Sequence, residues 1–176
     1  VNSDSKSVLT YLALGGNVGN VEKTFSGVCS RLADELLSGQ IRFSKLYQTA
    51  PWGVENQNDF FNLIVELEWS GSLDELARLC FKLEEEWGRD RQNEVRWGPR
   101  PIDIDILMFG DLQIETAELE IPHPRMHLRK FVLQPMMDLT TDTIIPGLGM
   151  SISQSLDNCD DNGDVFPINV VAWKPI

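Results

Sequence analysis

An α+β fold, an antiparallel sheet with helices packed on it, is what the pattern of this 176-residue chain predicts. Three observations carry the prediction. Apolar runs of two kinds alternate, some short and β-branched or period-two, others longer and at helical spacing. Glycines close several of them. The length fits one domain, 1–176, with a core large enough to need no disulfide or structural metal.

The elements follow in order. Residues 8–14 are a short apolar run ending at Gly15-Gly16-Asn17, a buried strand that leaves through a glycine turn. From about 20 to 37, Val21, Phe25, Val28, Cys29, Leu32 and Leu36 recur at helical spacing, with Gly39 just beyond. Ile41, Phe43, Lys45 and Tyr47 alternate with Arg42, Ser44, Leu46 and Gln48, which predicts one continuous strand. Residues 60–69 form a second such strand, and the long loop between, 49–59, has the length of a functional loop. Residues 72–87 carry Leu73, Leu76, Leu79, Cys80, Leu83 and Trp87 on one stripe, open with the capping box Ser72-x-x-Glu75 and stop at Gly88. An arginine-rich loop follows, then a strand to Gly110. The order strand, helix, strand, strand, helix, strand is the ferredoxin-like βαββαβ core, with its helices on one face of the sheet. A strand near 112–114 and a helix from about 128 to 138 come next. Residues 1–7 are expected to be disordered and 149–176 to be an irregular acidic tail.

Charge narrows the partners. Fifteen basic residues against 27 acidic give a formal net charge of -12, which repels nucleic acid and anionic membrane surfaces. Against that background residues 89–100 hold four arginines, Arg89, Arg91, Arg96 and Arg100, and only two acids, Asp90 and Glu94. No apolar run approaches a membrane span and residues 1–7 contain no signal region, so a cytoplasmic location is the default expectation. Cys29, Cys80 and Cys159 are widely spaced with no CxxC, and the first two fall on apolar helix faces as core.

The most informative segment is RWGPRPIDIDILMFG, residues 96–110. Residues two apart in a strand point the same way, so Asp103 and Asp105 share one face and Ile102, Ile104 and Ile106 the other. Carboxylate origins about 6.5 to 7 Å apart suit a hard cation such as magnesium or a pair of cations, and the nearby guanidiniums fit phosphate oxygens bidentately. An edge strand whose aspartates merely pair with the arginines is the plainer alternative, and spacing alone leaves both open.

Other phosphate devices fail. No glycine is followed by lysine, so no Walker loop exists, and Gly15, Gly16 and Gly19 lack GxGxxG spacing. His123 and His127 are four apart, but Pro122 and Pro124 forbid the regular helix a zinc pair would use.

These residues resemble a known family. YLALGGN (11–17), YQTAPWG (47–53), QNDFFN (57–62), LEEEWGRDR (83–91), RWGPRPIDIDIL (96–107), IPHPR (121–125) and RKFVLQP (129–135) stand in the order of the hydroxymethyldihydropterin pyrophosphokinases. Gly16 stands where a serine is common, and the segment after 148 lies outside the resemblance. The resemblance implies a transfer of diphosphate from ATP to a pterin alcohol with release of AMP. It implies that Asp103 and Asp105 hold two Mg2+ ions, and that Glu84, Arg89, Arg91, Arg100, His123 and Arg129 form the ATP site. Arg89 and Arg100 join the aspartates as catalytic groups. Thr49, Trp52, Phe60, Asn62, Trp97 and Phe131 would form the pterin site, the ring stacked between Phe60 and Phe131. The expected partners are ATP and the pterin alone, on a monomer. Two other classes stay open at this level: a non-catalytic nucleotide-binding or protein-interaction module, and a magnesium nuclease, which the net charge disfavours.

Overall fold

The computed structural model describes residues 7–36, 39–51, 56–93 and 98–168. The first strand, β1 (Val8–Gly16), runs into α1 (Val21–Asp34), whose N-cap Asn20 accepts a hydrogen bond from Lys23 N through its side chain. Next come β2 (Ile41–Phe43), β3 (Leu46–Thr49) and β4 (Phe60–Trp69). Helix α2 (Leu73–Glu86) has the capping box read from the sequence: Ser72 and Glu75 each satisfy the other's backbone N–H. Strand β5 (Asp103–Phe109) completes the core. A small hairpin, β6 (Ile114–Glu115) and β7 (Glu120–Ile121), precedes α3 (Lys130–Met136), α4 (Ile152–Asp157) and β8 (Val165–Ile168).

The main sheet is antiparallel in the order β5-β1-β4-β3-β8, with β2 also on β4. Its core is the expected ferredoxin-like arrangement, β2 and β3 together occupying the place of one strand. The continuous strand predicted across 41–48 is corrected here. Phe43 pairs Val65 but Tyr47 pairs Asn62, so four steps on one side meet three on the other and one residue is extra. Ser44 makes the break: its N–H donates to Ile64 O and its Oγ accepts from Ile64 N, both at 2.9 Å. The alternation flips there, putting Leu46 with Ile41 and Phe43 and sending Tyr47 to the opposite face.

Both faces of the sheet are covered, not one. Leu12, Leu14, Leu63, Val65, Ile104 and Ile106 pack under α1 and α2 through Phe25, Val28, Leu32, Leu76 and Leu83. On the reverse face Tyr11, Ile64, Leu107 and Met108 pack under Val132, Leu133 and Met136 of α3 and Ile152 of α4. The expected irregular tail, 149–176, is likewise corrected where it is described. Ser151 and Gln154 form a second capping box at α4, and β8 extends the sheet by pairing β3. Ser7 is exposed and lies outside any strand, while residues 1–6 lie outside the described residues.

Candidate active site

The aspartates open β5 at the end of the sheet where β1 leaves. Asp103 pairs Gly15 and Asp105 pairs Ala13, while on the other side of β1 Gly15 pairs Asn62. A side chain at Gly15 would touch both Asn62 Oδ1 and the Asp103 Cβ. The glycine therefore leaves a hollow floored by backbone between a carboxylate and a carboxamide. As the alternation predicts, Ile102, Ile104 and Ile106 are buried on the far face.

Asn17 ties the loops around this hollow. Its Oδ1 accepts from Arg100 N at 2.9 Å, and its Nδ2 donates to Asn58 O and Gln57 Oε1. It is buried and was not among the predicted site residues. Its place in the YLALGGN run, directly after two glycines, was the available signal.

Charge is concentrated at the aspartates. Arg89 Nη1 and Arg100 Nη1 both donate to Asp103, the latter at 3.0 Å. Arg129 Nη1 and His123 Nε2 approach Asp105 Oδ2 at 3.8 and 3.7 Å. Glu84, 1% exposed, lies behind this array: it accepts from Arg89 Nη1 (2.5 Å), Arg91 Nη2 (2.5 Å) and the Ile104 N–H (2.7 Å). Arg91 is half exposed and lies over the Phe81 ring. Burial, and then the charge of Asp103, push the Asp105 carboxyl up to about 6. Burial, with Arg129 and Arg125 beside it, pushes His123 down to about 4. That imidazole is neutral at pH 7, and because Nδ1 accepts from Arg125 N the proton belongs on Nε2, toward Asp105.

A mainly apolar cavity of about 220 Å³ adjoins the aspartates. It brings together eight of the predicted residues: Thr49, Phe60, Asn62, Arg100, Asp103, Asp105, Arg129 and Phe131. Asn62 Nδ2 donates to Thr49 Oγ1 at 2.9 Å, which orients the carboxamide. The Arg100 and Arg129 guanidiniums lie 5.8 and 5.5 Å from the Phe60 and Phe131 rings, linking the aromatic part of the site to its charged part. Small-molecule sites span roughly 300–1,000 Å³, so this space suits one flat ring system better than a whole nucleotide. Arg89 and His123 reach the aspartates from outside the cavity wall, and Glu84 and Arg91 stand behind Arg89. Trp52, Trp97 and Arg96 lie outside the described residues. The wall also includes Asp161, Gly163, Asp164 and Val165, from the segment expected to be an irregular tail.

The donor set fits magnesium. Two carboxylates lie side by side, and Asp105 is raised by burial first and by the charge of Asp103 second, both of which a divalent cation would offset. Among the described residues no cluster of three or more His, Cys, Asp or Glu forms a closed metal cage. A cation here would take its remaining ligands from water and phosphate, as magnesium ordinarily does.

Comparison with known proteins settles the family. The model of the 7,8-dihydro-6-hydroxymethylpterin-pyrophosphokinase family matches residues 11–141. The chain belongs to this pyrophosphokinase family. It is 41% identical over 131 residues to the 2-amino-4-hydroxy-6-hydroxymethyldihydropteridine pyrophosphokinase of Bacillus subtilis, covering 74% of this chain and 77% of that protein. With the protein of the same name from Synechocystis it shares 37% identity over 159 residues, 89% of this chain and 78% of the other. In fold it is similar to the crystal structure of Plasmodium falciparum HPPK-DHPS, with a TM-score of 0.64 at 18% identity. That match covers 87% of this chain but spans only 41% of the Plasmodium chain. Asp103, Asp105 and the arginine and aromatic residues described above fall within the matched region, 11–141, whereas residues 161–165 of the cavity wall lie beyond it.

Proposed function

We propose that this chain transfers diphosphate from ATP to the hydroxymethyl group of 6-hydroxymethyl-7,8-dihydropterin and releases AMP, a step of folate biosynthesis. The observation that carries the reading is the junction of an aromatic, carboxamide-bearing cavity with a carboxylate pair ringed by arginines. One end suits a flat heterocycle and the other a polyphosphate.

Phe60 and Phe131 hold the pterin ring by stacking, and Asn62, oriented by Thr49, reads its hydrogen-bonding edge. Arg89, Arg100 and Arg129, with the neutral His123 donating through Nε2, face the phosphates. Glu84 acts one layer back, fixing Arg89 and Arg91. Asp103 and Asp105 would hold magnesium, two ions in our reading, which when bound supplies charge neutralisation and alignment of the phosphates. The pterin hydroxyl oxygen bonds to the β-phosphorus in line, the bond from that phosphorus to the α–β bridging oxygen breaks, AMP carries that oxygen away, and the hydroxyl proton is released to water. The side chains contribute orientation and preorganised positive charge where the transition state is negative. A monomeric enzyme remains our expectation. Among the described residues no helix is long and apolar enough to cross a membrane, and a cytoplasmic setting remains our expectation.

The test is AMP release from magnesium and ATP with and without the pterin, followed by chromatography of the pterin product. Pterin-dependent AMP and a diphosphorylated pterin are expected. ATP binding without AMP would leave a nucleotide-binding module instead. Asp103→Ala and Asp105→Ala should each abolish transfer while circular dichroism stays unchanged; full activity in either variant would remove the metal role.

A further inference from the structure

Helix α3 carries Phe131 in its first turn and follows directly on Arg129, yet neither its N-cap residue, Arg129, nor any neighbour in sequence caps it by a side chain. The cap comes from 31 residues away. Asp161 Oδ2 accepts from the Lys130 N–H at 3.0 Å, while Oδ1 accepts from Gly163 N, also at 3.0 Å. A carboxylate on the first N–H of a helix meets an unsatisfied donor and the positive end of the helix dipole at once.

Four residues further on, Val165 pairs Thr49 across β8 and β3. Thr49 is the residue that orients Asn62. Residues 161–165 therefore fasten two opposite parts of one cavity, the helix bearing Phe131 and the strand bearing Thr49, and they line that cavity themselves. We propose that Asp161 is a positioning residue for the ring-binding end of the site: by capping α3 through Lys130 N it holds Phe131 over the cavity. The inference rests on the reading of this cavity as the pterin pocket. Arg129, the N-cap residue of the same helix, keeps contacts of its own when the Asp161 cap is lost, its N–H donating to Met126 O and its guanidinium facing Asp105, so the polyphosphate end is the less affected.

Steady-state kinetics with each substrate varied in turn, on the full chain, separate the two ends. Asp161→Ala should raise the KM for the pterin about tenfold, in line with the loss of a helix cap, while the KM for ATP and kcat stay within about twofold. Asp161→Asn keeps an acceptor oxygen and should return the pterin KM to within about threefold of the parent value. Lys130→Pro deletes the donor itself at the first helical position, where proline is tolerated, and the extended backbone of Arg129 suits a following proline. It should reproduce the Asp161→Ala kinetics, and it keeps the test open if Asp161→Ala fails to fold. Equal losses for both substrates, an unchanged pterin KM, or an effect of Asp161→Ala that Lys130→Pro does not share would each overturn the inference. A parent protein that turns over ATP without modifying the pterin would instead remove the pocket assignment, and the inference with it.

Discussion

Glu84→Ala removes a carboxylate that three hydrogen-bonding groups share in the interior. The Arg89 guanidinium, 6% exposed, would lose the Glu84 carboxylate while keeping Asp103, and the Ile104 N–H would lose its acceptor between the two aspartates. Breaking a buried ion pair costs about 3–5 kcal/mol, and Asp103 holds the cost to the lower half of that range. An orphaned buried N–H adds about 1–3 kcal/mol where water cannot replace the lost acceptor. The void left by the truncated side chain can admit water, so we take about 3–4 kcal/mol for the sum. At roughly 2–4 °C per kcal/mol for a chain of this size, the melting midpoint should fall by about 6–16 °C. Burial pushes the Glu84 carboxyl upward and the guanidiniums of Arg91 and Arg89 pull it back. Glu84→Gln separates these influences: if the group were neutral at pH 7, glutamine would replace it at little cost. Scanning calorimetry or urea titration of both variants is the assay, and we expect Glu84→Gln to lie between Glu84→Ala and the parent. A midpoint within about 2 °C of the parent for Glu84→Ala would refute the claim that this carboxylate supports the arginines and β5.

Other expectations follow from the same site. Asp105 is raised from 3.8 to about 6, so in the metal-free protein the folded state binds more protons than the unfolded between these values, and this group's contribution to stability falls as pH rises through that window. Asp105→Asn should flatten that part of the profile in thermal melts without metal and raise the midpoint at pH 7.5; a steeper profile would contradict the assignment. Phe60→Ala and Phe131→Ala should each raise the pterin KM by tenfold or more with little change for ATP, since stacking adds about 0.5–1.5 kcal/mol to the area buried; equal effects on both substrates would oppose the division of the site. Burial pushes the Cys80 thiol up to about 12 and Cys29 higher still, whereas Cys159 is half-buried. Ellman's reagent should therefore titrate Cys159 alone in the native state and all three cysteines in denaturant.

The parts of the fold legible in the sequence were those decided by local physics. The Ser72–Glu75 capping box and the stripe of Leu76, Cys80 and Leu83 fix α2 without reference to the rest of the chain. Alternation placed Asp103 and Asp105 opposite their isoleucines for the same reason. The break at Ser44 was hidden, because a serine replaces a rung of the ladder only when a particular partner, here Ile64, offers both its N–H and its carbonyl. The second covered face did leave a trace. Strands β1 and β4 are apolar on both sides, with Tyr11 beside Leu12 and Ile64 beside Leu63, and an unbroken apolar run marks a strand covered on both faces.

The candidate site divides along the same line. Arg89, Arg100 and the two aspartates lie close in sequence and could be grouped by composition alone, whereas the roles of Glu84 and Asn17 depend on backbone N–H groups 20 and 83 residues away. The tail shows why net charge misleads at this scale. Residues 157–164 read as a solvated acidic run in a chain already at -12, and the four acids there, Asp157, Asp160, Asp161 and Asp164, serve no visible local purpose in the sequence. One of them, Asp161, meets a partner that sequence cannot reveal, since a backbone N–H has no letter of its own and becomes an anion site only once α3 begins at Lys130. The signal that was available came from Ser151-x-x-Gln154, which starts a helix at 152 and so requires the chain beyond it to return against something. It returns along β3, and that return brings the acidic run to the wall of the cavity.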